Sequence, residues 1–282
     1  MDKCKKIEDC KNILEKEKKE ISPFLEQLKN SKIIPSLVFF SNSYAKNIYN
    51  HWKYLKETCE SLGIKFTEKN LDNSDTNSAI KEIEKFAKDN NTNGILIQLP
   101  LPKGLNINEL RKNIPFKKDI TFFTNIAKNN PSTNIYYNSY YNKTIAKIIK
   151  YYNIETENKN IVIVDEINDY VSNTSSILEL LKDSKSNIKQ CNLKIKNLKE
   201  ICKNADILIT NIGKNCFINE EYIKEQSIII DISAKYTENG MIIGDVVTND
   251  ALEICNTIIQ IPNIIEKVAP MLVIYKLILS II

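Results

Sequence analysis

The stretch Gly94-Ile95-Leu96-Ile97-Gln98-Leu99-Pro100-Leu101-Pro102 sets one amide side chain, Gln98, directly after an apolar run. The run has the length and composition of a buried β-strand. Proline lacks a backbone N–H and holds φ at about −65°, so the two prolines end the strand. Ligands of open α/β sheets bind at the carboxyl ends of strands, which makes Gln98 a candidate site residue. The alternative interpretation is a plain strand followed by a proline turn.

Strands and helices alternate on both sides of this stretch, which predicts parallel sheets covered by helices. Before it, the pattern predicts helices over 2–31, 45–62 and 76–90 and strands over 34–40 and 65–68. After it, the pattern predicts helices over 138–152, 172–182 and 222–225 and strands over 160–165, 206–210, 227–231 and 258–261. The predicted fold class is α/β, with two α/β domains flanking a cleft and a Rossmann-like second domain. The first domain is assigned to residues 1–145 and the second to 146–267, while the apolar helix 268–282 is free to return to the first.

Composition and charge exclude several classes of function. The 282 residues carry a net charge of only +4, with acidic and basic residues interspersed, so no basic surface for nucleic acid is expected. No run of about eighteen apolar residues is present, which argues against a membrane span. Seven scattered cysteines and a single histidine predict reduced thiols and no metal site. A cytoplasmic location is expected, and an organellar form stays open.

Tyr49 and Lys53 stand four residues apart, so on a helix they project from the same face. A lysine beside a phenol and near an apolar strand end can have a lowered ammonium pKa and serve in proton transfer. The same spacing is common on solvated helix faces, which is the alternative interpretation.

The segment Ala45-Lys46-Asn47-Ile48-Tyr49-Asn50-His51-Trp52-Lys53 resembles the Ala-Ser-x-x-Tyr-x-x-x-Lys signature of the methylenetetrahydrofolate dehydrogenase/cyclohydrolase family. The stretch 94–102 resembles the second signature of that family. Further matches follow in the family's order along essentially the whole chain, at Lys118-Asp119, Ala205–Lys214, Gly244-Asp245-Val246-Val247, Pro262 and Val268-Ala269-Pro270-Met271.

The resemblance implies two reactions on one folate substrate. Methylenetetrahydrofolate gives a hydride to NADP, and the resulting methenyl ring is hydrolysed to formyltetrahydrofolate. By position, Lys53 manages protons, Gln98 holds and tunes the lysine, and Tyr49 packs on the folate. The implied substrate-binding residues are Tyr49, Leu99, Pro100, Asp119, Thr121 and Pro262. The implied cofactor-binding residues are Asp165, Glu166, Ile167 and Ala234.

The chain departs from the family pattern at three loops. Thr121 stands where the family's Lys-Asp-Val-Asp-Gly phrase has its second acid, so the charge for a bidentate contact is lost. The segment Asp165–Thr174 follows a predicted strand without a glycine, although glycine lets backbone N–H groups approach phosphates. Asn263, Ile264 and Ala269 replace the glycines near the C-terminal end.

These departures keep three hypotheses open. The first is the bifunctional enzyme, with NADP, NAD or no cofactor at the second domain. The second is a cyclohydrolase without dehydrogenase activity, because hydrolysis requires Lys53 and Gln98 but no redox cofactor. The third is a non-catalytic folate-binding or dimer-partner protein. The resemblance also implies a homodimer.

Overall fold

The computed structural model describes residues 5–7, 11–43, 52, 54–98, 101–120, 147–166, 181, 184–233, 235–236 and 242–282. The strands are β1 (Lys5–Ile7), β2 (Ser36–Ser41), β3 (Lys65–Asn70), β4 (Gly94–Ile97), β5 (Asn160–Asp165), β6 (Asn187–Cys191), β7 (Ile207–Asn211), β8 (Ile228–Asp231), β9 (Lys235–Tyr236), β10 (Ile242–Ile243) and β11 (Thr257–Gln260). The helices are α1 (Lys11–Asn30), α2 (Leu55–Ser61), α3 (Thr76–Lys88), α4 (Ile107–Lys112), α5 (Leu198–Lys203), α6 (Thr248–Ile254) and α7 (Ile261–Leu279).

The chain divides into two compact units, each made of two separate segments. The small-sheet unit comprises residues 11–140 and 266–282, and the large-sheet unit comprises residues 1–10 and 141–265. Two α/β units with parallel sheets confirm the predicted fold class.

The small-sheet unit is built on three parallel strands in the order β3-β2-β4. All six residues of the central strand β2 are buried, because helices cover both faces of the sheet. Leu37 and Phe39 face the core formed with α1, α2 and α7, whereas Val38 and Phe40 face the core formed with α3 and α4. Successive side chains of β2 point to opposite faces of the sheet, so the two faces pack against different helices.

Helix α7 contributes its apolar side chains to the core of the small-sheet unit. Met271, Val273, Ile274, Leu277 and Ile278 are buried there. Each such side chain stabilises the packed state by roughly 1.5–3 kcal/mol relative to exposure. No helix in the described ranges is both long enough and apolar enough to cross a membrane.

The large-sheet unit is built on six parallel strands in the order β1-β11-β8-β7-β5-β6. The chain runs from β5 outward to β6 and then returns past β5 to β7. The order of the strands therefore reverses between β5 and β7, and such a switch point opens a crevice at the carboxyl ends of the two strands.

Several predicted elements differ from the observed ones at the edges of the sheets. The helix predicted over 2–31 is observed over 11–30, and residues 5–7 instead form β1, which pairs with β11. Strand β6 was not predicted. Both are short edge strands with polar residues, and an edge strand lacks the buried apolar run that marks a central one. The predicted helix 172–182 lies, except for residue 181, outside the described residues. Of the helix predicted over 45–62, residues 45–51 and 53 also lie outside them.

Candidate functional site

Gln98 follows β4 directly and is held by the neighbouring strand β2. Its backbone N–H donates to the carbonyl of Phe40 at 2.8 Å, which continues the strand ladder by one residue. Its side-chain Oε1 accepts from the backbone N–H of Asn42 at 3.2 Å, and its own carbonyl accepts from Asn42 Nδ2 at 3.1 Å. Gln98 is 2% exposed and Asn42 is fully buried. This reciprocal pair fixes the direction of the Gln98 amide at the carboxyl edge of the small sheet.

Ser41 ends β2 beside this pair. The side chain is fully buried, and its hydroxyl has no hydrogen-bond partner among the residues that the structure describes. A buried hydroxyl without a partner costs roughly 1–3 kcal/mol. The same edge of the sheet therefore holds one satisfied amide pair and one unsatisfied hydroxyl.

The predicted catalytic pair, Tyr49 and Lys53, lies outside the described residues. The residues on either side of Lys53 are placed. Trp52 packs edge-to-face on Phe39 of β2, with ring centroids 6.4 Å apart. Lys267 of α7 lies over the ring of Tyr54, with Nζ 5.9 Å from its centroid. The chain on both sides of Lys53 is thus packed within the small-sheet unit.

Asp119 lies next to β4, where it forms a parallel bridge with Ile95. Its side chain is 1% exposed, and its carbonyl accepts from Lys276 Nζ of α7 at 2.6 Å. Three other predicted substrate residues, Leu99, Pro100 and Thr121, lie outside the described residues. Pro262 is the second residue of α7, and its side chain is not described.

Lys118 has a structural contact that the sequence did not predict. Its ammonium donates to the carbonyls of Phe86, Ala87 and Asp89 at 3.3, 2.7 and 2.7 Å, at the end of α3. Burial lowers the pKa of this ammonium. A cation at the carboxyl end of a helix satisfies its unpaired carbonyls and opposes the helix dipole. Lys118 therefore anchors the turn that carries Asp119.

At the switch point of the large sheet, the predicted residues Asp165 and Glu166 connect neighbouring strands. Asp165 ends β5, is fully buried, and accepts from Asn211 Nδ2 of β7 at 2.9 Å. The N–H of Glu166 donates to the carbonyl of Asn211 at 3.4 Å, and its Oε1 accepts from the N–H of Leu193 at 3.4 Å. Asp165, which was predicted as a cofactor-binding residue, thus has its side chain inside the protein at the end of β5. Ile167 and Ala234 lie outside the described residues.

Two further carboxylates, Asp231 and Asp245, are buried at the same edge of the large sheet, and sequence reasoning did not single them out as site residues. Asp231 accepts from the N–H groups of Ser233 and Val246, both at 3.2 Å, and from Thr210 Oγ1 at 3.3 Å. Burial, with a smaller contribution from the nearby Asp245 charge, raises the pKa of Asp231 to about 7. Burial also raises the pKa of Asp245.

The described residues at this edge fit a phosphorylated dinucleotide in part. Lys194 is exposed in the turn that follows β6, the strand next to β5. Gly213 follows β7 with a φ of 72°, and a β-carbon added there would have no atom of the described residues within 4 Å. The residues that would approach the pyrophosphate after β5 lie beyond Glu166, outside the described part of the chain.

The two units therefore define an α/β protein with a dinucleotide-binding domain of the Rossmann type. The model of the tetrahydrofolate dehydrogenase/cyclohydrolase catalytic domain matches residues 9–121, and the model of the NAD(P)-binding domain of the same family matches residues 141–281. The chain belongs to the tetrahydrofolate dehydrogenase/cyclohydrolase family, as the resemblance predicted.

Curated relatives and solved structures agree with this assignment. The bifunctional protein FolD of Clostridium botulinum (strain Alaska E43 / Type E3) is 32% identical over 265 residues, which cover 90% of this chain and 89% of that protein. The bifunctional protein FolD of Thermodesulfovibrio yellowstonii is 31% identical over 267 residues, which cover 91% and 90%.

Two crystal structures have the same fold. The bifunctional enzyme FolD from Campylobacter jejuni superposes with a TM-score of 0.78 at 23% identity, covering 98% of both chains. The Trypanosoma brucei enzyme, solved with NADP cofactor and an inhibitor, superposes with a TM-score of 0.80 at 16% identity, covering 99% of this chain and 98% of that one.

Proposed function

We propose that this protein oxidises 5,10-methylenetetrahydrofolate to 5,10-methenyltetrahydrofolate with NADP and hydrolyses the product to 10-formyltetrahydrofolate. The observation that carries the proposal is family membership across both domains, joined to the buried, oriented amide of Gln98 at the carboxyl edge of the small sheet. Folate one-carbon metabolism is the corresponding role.

In this proposal Lys53 is the proton-transfer group of the cyclohydrolase reaction. Asn42 fixes the orientation of the Gln98 amide, and Gln98 in turn orients the lysine. An amide can accept from an ammonium or donate to a neutral amine, so Gln98 suits both protonation states of Lys53. Tyr49 packs on the folate.

The remaining substrate contacts are proposed from position. Leu99, Pro100 and Pro262 line the substrate, and Thr121 hydrogen-bonds the pterin where the family has an acid. Asp119 is buried and tied to α7 through its carbonyl, so it supports this turn from within.

NADP is the proposed cofactor, and it supplies the hydride acceptor when bound. Glu166, Ile167 and Ala234 would adjoin it, and Asp165 would support the strand end beneath it. Lys194 favours NADP over NAD, because a lysine attracts a 2′-phosphate, whereas an acid at this place would select a ribose hydroxyl.

The test compares Lys53→Ala with Lys56→Ala. Lys56 is exposed on the adjacent helix, and its ammonium pairs only loosely with Glu60, at 3.9 Å. Loss of a positioned general acid–base lowers a rate by about 10²–10⁴-fold, so Lys53→Ala should abolish measurable hydrolysis of methenyltetrahydrofolate while Lys56→Ala retains it. Equal activity of the two variants would contradict the proposed role of Lys53.

One observation favours a second candidate function, a cyclohydrolase without dehydrogenase activity. The stretch after β5, residues 166–174, has no glycine, and its first residue, Glu166, is acidic. Calorimetric titration of the protein with NADP⁺ and NAD⁺, each with and without a folate analogue, separates the candidates. Micromolar binding of NADP⁺ supports the bifunctional enzyme. Binding of the folate analogue alone leaves the cyclohydrolase or a non-catalytic folate-binding protein, which the hydrolysis assay separates. Binding of neither supports a protein that keeps the fold for its contacts, such as a dimer partner.

A homodimer and a cytoplasmic location are proposed on family grounds. Light scattering coupled to size-exclusion chromatography tests the first, and imaging of the tagged protein in its native cell tests the second. A monomeric mass would contradict the dimer.

A further inference from the structure

The loop after β7 is held by one buried carboxylate. Asp245 accepts from the N–H of Ile212 at 2.5 Å and from the N–H of Lys214 at 2.9 Å. Gly213 lies between these two residues. Successive N–H groups that converge around a left-handed residue form an anion-binding concavity, and Gly213 has a φ of 72°. The protein therefore fills this concavity with its own anion.

This loop lies at the switch point of the large sheet. Asn211, the last residue of β7, is bound to Asp165 at the end of the adjacent strand β5. A dinucleotide bound in the crevice of such a sheet lies over the carboxyl ends of these two strands. The shape of the loop 212–214 therefore decides what surface the ligand meets on the β7 side.

Asp231 holds the segment that carries Asp245. It accepts from the N–H of Val246, the residue after Asp245, at 3.2 Å. Gly244, the residue before, lies so close to the Asp231 carboxylate that a β-carbon there would collide with it. The hydroxyl of Thr210 on β7 donates to Asp231 at 3.3 Å. The segment 244–246 is thus fixed to the ends of both β7 and β8.

We propose that Asp245 is a positioning residue of the dinucleotide site, where its carboxylate occupies the N–H concavity of residues 212–214 and fixes the loop against which the dinucleotide binds. The inference rests on the proposed function, because it requires a dinucleotide at this edge. Because Asp245 occupies the concavity, a phosphate cannot bind there. The loop therefore supports the dinucleotide through the position of its backbone, while its N–H groups remain bonded to Asp245. Asp245 itself does not touch the cofactor.

Asp245→Asn tests the proposal, because the amide presents an N–H₂ group where one oxygen must accept. Displacement of a positioned loop by about 1 Å can cost up to about 100-fold, and we expect the Kd for NADP⁺ to rise at least tenfold. Hydrolysis of methenyltetrahydrofolate, which uses no dinucleotide, should change less than about twofold. The amides of residues 212–214 should lose protection from hydrogen exchange in the variant.

Asp206→Asn is the matched control. Asp206 also accepts a backbone N–H, that of Asn160 at 2.8 Å, but it precedes β7 and so lies at the opposite edge of the sheet. We expect this variant to lose some stability and to keep the wild-type Kd for NADP⁺.

Gly213→Ala is a second test that does not depend on the buried acid. Its methyl group meets open space but strains the positive φ, so the Kd should rise while the protein stays folded.

Three outcomes overturn the inference while the wild-type protein binds NADP⁺. They are an unchanged Kd in Asp245→Asn, unchanged exchange of residues 212–214, and an equal rise of the Kd in Asp206→Asn. A wild-type protein that binds no dinucleotide contradicts the proposed dehydrogenase, and the inference falls with it.

Discussion

At the carboxyl edge of the small sheet, Gln98 and Asn42 hold one another through neutral amides, whereas at the edge of the large sheet Asp231 and Asp245 hold backbone N–H groups with buried carboxylates. Neutral amides do not titrate, so the hydrogen bonds between Gln98 and Asn42 involve no group that changes its charge with pH. Buried carboxylates form stronger hydrogen bonds but keep a desolvation cost that depends on their charge. In the proposed function, this uncharged pair positions Lys53, whose own protonation changes during the reaction.

The variant with the largest expected effect is Gln98→Ala. It removes the amide that orients Lys53 in our proposal and leaves the Asn42 N–H without its acceptor. We expect cyclohydrolase activity to fall by at least about 100-fold, with the Kd for NADP⁺ unchanged. Steady-state hydrolysis and calorimetry on the same preparation provide the two measurements. Asn113→Ala is the control, because the amide of that residue donates only to the exposed end of α4, at the Glu109 carbonyl. Hydrolysis at the wild-type rate in Gln98→Ala would contradict the proposed role of Gln98 in orienting Lys53.

A smaller effect is expected from the pH dependence of stability. The folded-state pKa of Asp231 is raised from 3.8 to about 7, so its contribution to stability is full below about pH 4 and is lost as the pH rises through 7. Three pKa units set an upper bound of about 4 kcal/mol on this loss. Asp231→Asn does not titrate and should lose less stability between pH 5 and pH 8 than the wild type. Urea unfolding at several pH values measures the difference, and parallel curves for the two proteins would contradict it.

The smallest expected effects come from the matched pair Ser41→Ala and Thr210→Val. The Ser41 hydroxyl has no partner among the described residues, whereas Thr210 donates to Asp231. Removing the unsatisfied hydroxyl should leave the free energy of unfolding unchanged or raise it by up to about 1 kcal/mol. Removing the satisfied one should lower it by about 1 kcal/mol. Thermal denaturation of both variants in one buffer compares them, and a loss of stability in Ser41→Ala would show that its hydroxyl is bonded in solution.

The sequence predicted the central strands because full burial leaves an unbroken apolar run, as in β2, β4, β5 and β7. It missed β6, whose Lys189 and Gln190 are exposed at the sheet edge. It also predicted a helix across β1, because a strand of three residues is too short to show the alternation of apolar and polar side chains that marks a strand.

The position of Gln98 after β4 was predicted, and its role stays a prediction. The contacts of Asn42, Lys118, Asp231 and Asp245 were not predicted. Each of these residues bonds to a partner far away along the chain, which the local sequence pattern does not reveal. The sequence also does not distinguish a buried carboxylate from an exposed one. The family phrase around Gly244-Asp245 was the available signal. The structure adds the physical reason for a glycine at residue 244, because a β-carbon there would collide with the Asp231 carboxylate.

The interleaving of the two units has a consequence for synthesis on the ribosome. Residues 1–10 belong to the large-sheet unit, residues 11–140 to the small-sheet unit, and the chain returns to the latter after residue 265. When residue 140 has left the exit tunnel, the small-sheet unit still lacks the α7 side chains that fill its core. Strand β1, although made first, waits for β11, its partner some 250 residues later. The large-sheet unit therefore cannot be completed during translation before residue 260 has been made, nor the small-sheet unit before residue 278.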